Sequence, residues 1–359
     1  MEAICIILNK NCAGTKFKQP HPLQQTCMIY SINSITCNKM LGTICSASLA
    51  LALSACDWMA DKPITISAQV WVGYEQMFLA RSEGWLDAKQ VHLLEITTAT
   101  DSLKALAEGK ADGAALTLDE MLKARASGLP LTAVMVFDIS AGADMLLVRP
   151  GIKRLQDLKG RRIGLEQSSV AEVLLVEILQ RAKLSRQDVT LIPISIDKHL
   201  QAWSSNQVDA IITYEPVASK LQLQDAVKLF DSRQIPDTII DVLAVRNDML
   251  DASHASAIRH LISAHFRALH HLHTNPQDAA YRTASHLGLP AAHVLAAYKG
   301  LVLPDISNNF RLLTGTSPAL LDSADRLSAT MVRAGLLKQQ DTLSSLIDAN
   351  YLPTQSPAN

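Results

Sequence analysis

Residues 63–70 (PITISAQV) alternate apolar and polar positions with β-branched side chains, the period of two that turns one face of a strand toward a core. The strand is predicted to end at Trp71-Val72-Gly73-Tyr74. Residues 75–82 then switch to helical spacing, closed by Gly84. The change of period recurs: a strand over 92–97, a helix over 101–108 behind a Thr-Asp-Ser cap, a strand over 111–117, a helix over 118–126 and an apolar strand over 131–137. Strands separated by helices of about ten residues predict parallel βαβ units.

The pattern then restarts. Residues 155–160 lead to a strand over 162–165, a helix over 170–182, a strand over 190–194, a helix over 198–204 and a strand over 210–213. The two rounds share a phrase: ALAEGKADGA from Ala105 and AWSSNQVDA from Ala202 each end a helix in a turn and place an Asp before an apolar strand. Two similar lobes follow, with a strand over 238–245 carrying the chain back and a mostly helical stretch over 250–348 packing on the first lobe. The predicted division is 64–145 with 247–348 for lobe 1 and 146–246 for lobe 2. In open α/β sheets ligands bind beyond the carboxyl ends of the strands, so two facing lobes place a ligand between them, with hinge closure as the natural motion.

Charge adds little: 33 Lys and Arg stand against 34 Asp and Glu in 359 residues, which argues against a nucleic-acid binder or a disordered regulator. Cysteine placement adds more. All six cysteines lie within the first 56 residues, so a disulfide-stapled fold, a thiol enzyme and a cysteine zinc site are excluded from the main domain. Residues 40–55 (MLGTICSASLALALSA) follow Lys39 without a charge and end in small residues, the outline of a secretory signal peptide too short to span a bilayer. Leu53-Ser54-Ala55-Cys56 resembles the bacterial lipobox, which implies acylation of Cys56 and a soluble domain held at the periplasmic face of the inner membrane. Residues 1–39 lack periodicity and read as a non-native or disordered leader, and 56–63 as a tether.

Four phrases in order carry a family resemblance: WVGYEQMFLA from Trp71, ALAEGKADGA from Ala105, LQDLKGRRIG from Leu155 and QVDAIITYEP from Gln207. Together they resemble the solute-binding proteins of ABC importers that serve nitrate, sulfonates, taurine and thiamine precursors. The resemblance implies an α/β, two-lobed periplasmic-binding-protein fold of the Venus-flytrap kind (type II). It also implies a monomer that delivers a small molecule to a permease and ATPase without chemistry of its own. Two alternatives share the fold: a sensory binding lipoprotein acting on a membrane signalling protein, and a pyrimidine-synthase-like enzyme, whose cysteine-rich motif this chain lacks beyond Cys56. No nucleotide loop, GxSxG turn or HExxH motif is present, and no cofactor is implied.

The candidate ligand-binding residues sit at predicted strand ends. Trp71, Tyr74 and Tyr214 place scarce aromatic surface there, either lining a cleft or capping a core. Glu166, Ser168 and Ser169 precede a helix, where hydroxyls and free N–H groups hold an anion or simply cap the helix; Asp101, Ser102 and Thr117 are the equivalents in the first lobe. Asp138 and Ser140 fall in a stretch ending at Asp144 that is read as a loop. With Glu166 and Glu215, its carboxylates favour an amine or protonated heterocycle over a sulfonate or nitrate; Glu215 alternatively starts a helix with Pro216. Six histidines over 254–273 are read as a solvated helix face rather than a metal site.

Overall fold

The computed structural model describes residues 61–167 and 170–354. The leader, Cys56 and the pair Ser168-Ser169 lie outside them. Two sheets carry the fold. The first contains β1 (Ile64–Gln69), β2 (Val91–Ile96), β3 (Gly113–Thr117), β4 (Leu131–Ser140), β10 (Ile240–Arg246) and β11 (Leu301–Val302), in the order β11-β4-β10-β3-β1-β2. The second contains β5 (Asp144–Val148), β6 (Arg162–Leu165), β7 (Thr190–Pro193), β8 (Ala210–Tyr214) and β9 (Val227–Asp231), in the order β7-β6-β8-β5-β9. Helices α1 (Glu75–Ser82), α2 (Ala99–Ala107) and α3 (Leu118–Ala126) follow strands of the first sheet; α4 (Val170–Ala182), α5 (His199–Ser204) and α6 (Val217–Gln222) follow strands of the second.

Parallel pairing holds within each βαβ run, where β1 lies between β2 and β3 and β6 lies between β7 and β8. It fails where the chain changes lobe. β10 runs antiparallel to β3 and β4, and β5 runs antiparallel to β8 and β9. Strands β5 and β9 were not legible as strands, because each is a five-residue run without a helix on both sides to mark it. The expected loop from Asp138 to Asp144 is a correction too. Asp138 and Ser140 belong to β4, Asp144 opens β5, and three residues, Ala141 to Ala143, make the crossing. The return crossing ends at Ile240 rather than at residue 247, since β10 pairs in the first sheet. Ser232 ties both crossings together: its Oγ lies 2.8 Å from Ser140 Oγ and accepts the Gly142 N–H at 2.6 Å.

The repeated phrase has a shared structural role. Gly109 and Asn206 both turn with positive φ, +67° and 56°, a conformation open to Gly and tolerated by Asn. The Asp that follows then ties its strand to a neighbour. Asp112 Oδ2 accepts the Thr65 N–H of β1 at 2.8 Å, and Asp209 Oδ2 accepts the Arg162 N–H of β6 at 2.9 Å.

The second sheet buries both faces, as the period of two requires: Leu146 packs with Leu174, Ile178 and Phe230, while Leu147 packs with Trp203, Ile211 and Leu221 on the other side. Each such side chain contributes roughly 1.5–3 kcal/mol on burial. In the first lobe the sheet shares one core with α7 (Ala255–Thr274), α8 (Pro276–Leu287), α9 (Ala291–Tyr298), α10 (Ile306–Leu313) and α11 (Ala319–Arg333).

The histidine-rich stretch is α7, and it is not a solvated face throughout. Its apolar stripe runs through Ile258, Leu261, Leu269 and Leu272, and His265 falls on that stripe, buried edge-on between Phe137 and Phe266. Neither ring nitrogen has a hydrogen-bond partner among the described residues, and burial pushes the imidazole down to about 3. An unpaired buried polar group costs roughly 1–3 kcal/mol. His265→Leu is therefore expected to raise the melting temperature in differential scanning calorimetry. A lowered melting temperature would show that the ring makes interactions that leucine cannot replace.

Candidate functional site

Between the sheets, the ends of β1 and β8 meet. Gln69, the last residue of β1, donates from Nε2 to Tyr214 Oη at 3.3 Å, and the Trp71 ring stands edge-on to Tyr214, with centroids 5.5 Å apart and planes at 84°. Tyr214 ends β8, so these contacts join the two lobes. The space they enclose is a cavity of about 10 Å³, lined by Tyr74, Thr117, Glu120, Asp144 and Asp241 as well as by Gln69, Trp71, Tyr214 and Val170. That volume is near the minimum for a single water. The cleft is closed, and a larger ligand requires the lobes to part.

The cavity is rich in carboxyl groups. Asp241 on β10 stands directly opposite Asp138 on β4 in the antiparallel register, and opposite Thr117 on β3. Like charges in cross-strand positions repel. Trp71 Nε1–H donates to Asp138 Oδ2 at 3.0 Å, and the Tyr74 hydroxyl donates to Asp241 Oδ1. Glu120, in the first turn of α3, accepts the Thr117 N–H at 3.0 Å, as a residue three past the N-cap does. Asp144 holds its backbone N–H on Ser140 Oγ at 3.2 Å. No arginine or lysine lines this cavity among the described residues.

Burial without a cation favours the neutral acid. It pushes Asp138 and Asp144 up to about 7, Glu166 to about 7 and Glu120 to about 8. Asp241 rises well above the usual carboxylate range through burial and then through the charge of Asp138. Asp138 and Asp241 bond each other side chain to side chain, while Asp144 Oδ2 and Gln69 Oε1 have no hydrogen-bond partner among the described residues. An amide oxygen and carboxyl groups that ionise to pure acceptors suit a guest that brings N–H donors and positive charge, with aromatic rings alongside for a cation or a flat heterocycle.

The sequence-predicted residues divide. Trp71, Tyr74, Thr117 and Tyr214 line the cavity, and Asp138 lies behind Trp71. Others are held locally. Asp101 lies in the first turn of α2, which Thr98 caps by accepting the Asp101 N–H on Oγ1 at 3.1 Å. Ser102 is buried against Ser67, with the two Oγ atoms 3.2 Å apart. Ser140 belongs to the crossing already described. Glu215 accepts the Ser219 N–H and hydroxyl, both at 3.0 Å, and so starts α6. Glu166 is buried next to α4, and the negative charge of Asp101 acts on it. Gln69, Glu120, Val170 and Asp241 went unpredicted. For Asp241 a signal existed: one acid inside the apolar run Ile239-Ile240-Asp241-Val242-Leu243.

Gly73 makes this packing possible. A Cβ built there would sit 1.8 Å from Asp138 Oδ2 and 2.5 Å from Trp71 Nε1, inside the very hydrogen bond that positions both groups.

Comparison with known proteins shows the family and the fold. The family model described as NMT1/THI5 like matches residues 73–279, more than half of the chain. A protein of Brucella abortus (strain 2308) named as a binding protein is 24% identical over 160 residues, covering 42% of this chain and 49% of its own length. The chain thus spans about half the length of this relative. A protein of Haemophilus influenzae named for thiamine biosynthesis is 25% identical over 238 residues, 61% of this chain and 72% of its own. Among solved structures, the alkanesulfonate-binding protein SsuA from Xanthomonas axonopodis pv. citri, bound to MOPS, superposes with a TM-score of 0.69 at 20% identity, over 80% of this chain and 99% of that one. The chain has the two-lobed periplasmic-binding-protein fold and belongs to the NMT1/THI5-like family.

Proposed function

We propose that this protein is an extracytoplasmic solute receptor that captures a small organic base, an amine or a nitrogen heterocycle, and hands it to an ABC importer without chemistry of its own. The cleft's composition carries this reading: among the described residues Glu120, Asp144 and Asp241 line it, Asp138 is buried behind Trp71, Asp144 Oδ2 and Gln69 Oε1 lack partners, and no cation lines it. A sulfonate or nitrate would meet repulsion there from every ionised group. Support for binding rather than catalysis comes from the names of related proteins. The differing names, thiamine biosynthesis for the Haemophilus influenzae relative and alkanesulfonate binding for the Xanthomonas axonopodis structure, leave ligand choice to the cleft.

Differential scanning fluorimetry against thiamine-pathway pyrimidines, amines, taurine, alkanesulfonates and nitrate tests the reading. Stabilisation follows RT ln(1 + [L]/Kd), about 2.7 kcal/mol at a hundredfold excess over Kd. A saturable shift is expected with an organic base. Saturable shifts confined to the simple anions would overturn the proposal.

The reading includes a lipid anchor at Cys56, supported by the lipobox-like Leu53-Ser54-Ala55-Cys56. Cys56→Ser is expected to leave the precursor uncut or to release the domain from membranes on fractionation. Normal cleavage with full membrane retention would contradict it.

A further inference from the structure

Away from the two crossings, two side-chain hydrogen bonds join the lobes among the described residues. One, from Gln69 to Tyr214, belongs to the cavity. The other lies outside it: Lys220 Nζ donates to the backbone carbonyl of Leu287 at 3.1 Å. Lys220 sits on α6, whose Ala218 and Leu221 pack on the second sheet, while Leu287 ends α8 and is buried in the core of the first lobe. Neither residue belongs to the crossings at Ala141 to Ala143 and Ser232 to Ile239. The bond therefore spans two separately packed bodies and requires them to be together.

The end of α8 is built to receive it. The last four carbonyls of a helix lack partners within the helix. The turn at Gly288 uses two of them: Ser285 O accepts the Gly288 N–H at 3.2 Å, and Ala284 O accepts the Leu289 N–H at 3.1 Å. Leu287 O is left for the second lobe, where the Lys220 ammonium also meets the negative end of the helix dipole. Gly288 has a φ of +60° and leaves room for this approach, since a Cβ there would stand 2.9 Å from Lys220 Nζ. The rest of the boundary is apolar or aromatic. Val173 of α4, Ile196 and Tyr214 are buried with the core of the first lobe, and such contacts are non-directional.

We propose that Lys220 is the latch of the closed cleft: its ammonium caps α8 across the lobe boundary and sets how long the lobes stay shut. It is a positioning residue, because it does not line the cavity. Its hydrogen bond is charge-assisted and half-buried, which makes it stronger than a neutral one. The ligand leaves after Lys220 lets go, so the latch controls residence time without changing which molecule fits. This rests on the reading of the cavity as the ligand cleft, and not on the ligand's chemistry.

Small-angle X-ray scattering of the ligand-free protein tests the latch without any ligand. Lys220→Met keeps the aliphatic stem and removes the ammonium. It is expected to shift the ratio of open to closed molecules about tenfold toward open, read as a radius of gyration larger than that of the wild type. Gly288→Ala should act from the other side, because its methyl pushes the flexible ammonium off Leu287 O. The strain of alanine at positive φ is common to both backgrounds and cancels in a double-mutant cycle. Gly288→Ala should thus enlarge the wild type and add little to Lys220→Met. An unchanged radius in Lys220→Met overturns the proposal, also where its melting temperature falls, since that marks a helix cap serving stability alone. Fully additive enlargement in the double variant overturns it too, because the two residues would then act independently. Binding only of anions in the fluorimetric screen would remove the ligand reading and leave the latch standing on the scattering result.

Discussion

Ligand-free protein is expected to melt on the order of 5 °C higher near pH 5.5 than at pH 8. Asp138, Asp144, Glu166 and Glu120 have ordinary values of 3.8 to 4.5 and are raised in the fold to about 7 or 8. Between those limits the folded state binds more protons than the unfolded one, so stability falls as pH rises through the window. Two histidines act in the opposite sense. Burial lowers His265 to about 3 and His199 to about 4, so their contribution is present above the usual imidazole value of 6.5 and is lost as pH falls toward the lowered ones. The carboxyl groups outnumber them, and His286, held above the usual imidazole value by its hydrogen bond to Glu75, acts in the carboxyl groups' sense above pH 6.5, so the maximum lies on the acid side of neutrality. Asp241→Asn should flatten the profile by raising the melting temperature at pH 8, because asparagine still accepts the Tyr74 hydroxyl without a buried charge. Calorimetric scans across this range check both. A wild-type melting temperature that rises steadily from pH 5.5 to pH 8 would mean the acids are not buried together in solution.

Gly73→Ala is expected to weaken ligand binding by about tenfold or more and to cost roughly 1–3 kcal/mol of stability, the usual range for overpacking. The added methyl would occupy the space of Asp138 Oδ2 and Trp71 Nε1. Neither neighbour has an easy retreat. Asp138 is fully buried, and Trp71 is packed on Tyr214. A site needs its groups held to within a fraction of an ångström, and this substitution moves an aromatic wall and a carboxyl group at once. Trp71→Phe is the companion variant: it keeps an aromatic ring, removes the N–H donor to Asp138 and trims ring bulk rather than adding it, and its loss should be smaller. Titration calorimetry with whichever base shifts the melting temperature reads both. Equal affinity in Gly73→Ala and the wild type would show that the Trp71–Asp138 pair does not shape the site.

Much of the architecture was legible because the period of hydrophobic positions changes sharply at most element ends. The strand over 63–70 and the helix over 75–82 correspond to β1 and α1 with small changes of boundary. The repeated phrase also pointed to two equivalent turns, now seen at Gly109 and Asn206. The antiparallel direction of β10 and β5 was hidden, since direction is set by where the chain crosses between lobes, and local periodicity carries no record of that.

The site was legible only in part, for a similar reason. Trp71, Tyr74 and Tyr214 stood out as scarce aromatics at strand ends. Glu120 was masked by its ordinary place in a helix's first turn, and Gln69 by its place at the end of an alternating strand. Asp138 and Asp241 each interrupt an apolar strand, but their meeting depends on the β4–β10 register, a pairing between residues about a hundred positions apart. Serine and aspartate positions before helices drew attention as anion sites. Those at Asp101 and Ser102 are instead occupied by local hydrogen bonds, and Glu215, read as a carboxylate for a cationic ligand or as a helix start, is held by Ser219.

The central claim is that the cleft takes an organic base, and native mass spectrometry of the protein isolated from its own cell envelope tests it most directly. The spectrum of the intact complex, followed by release and identification of the bound molecule, is predicted to give a small nitrogenous base. A sulfonate, nitrate or another simple anion released from the wild-type protein would contradict the account.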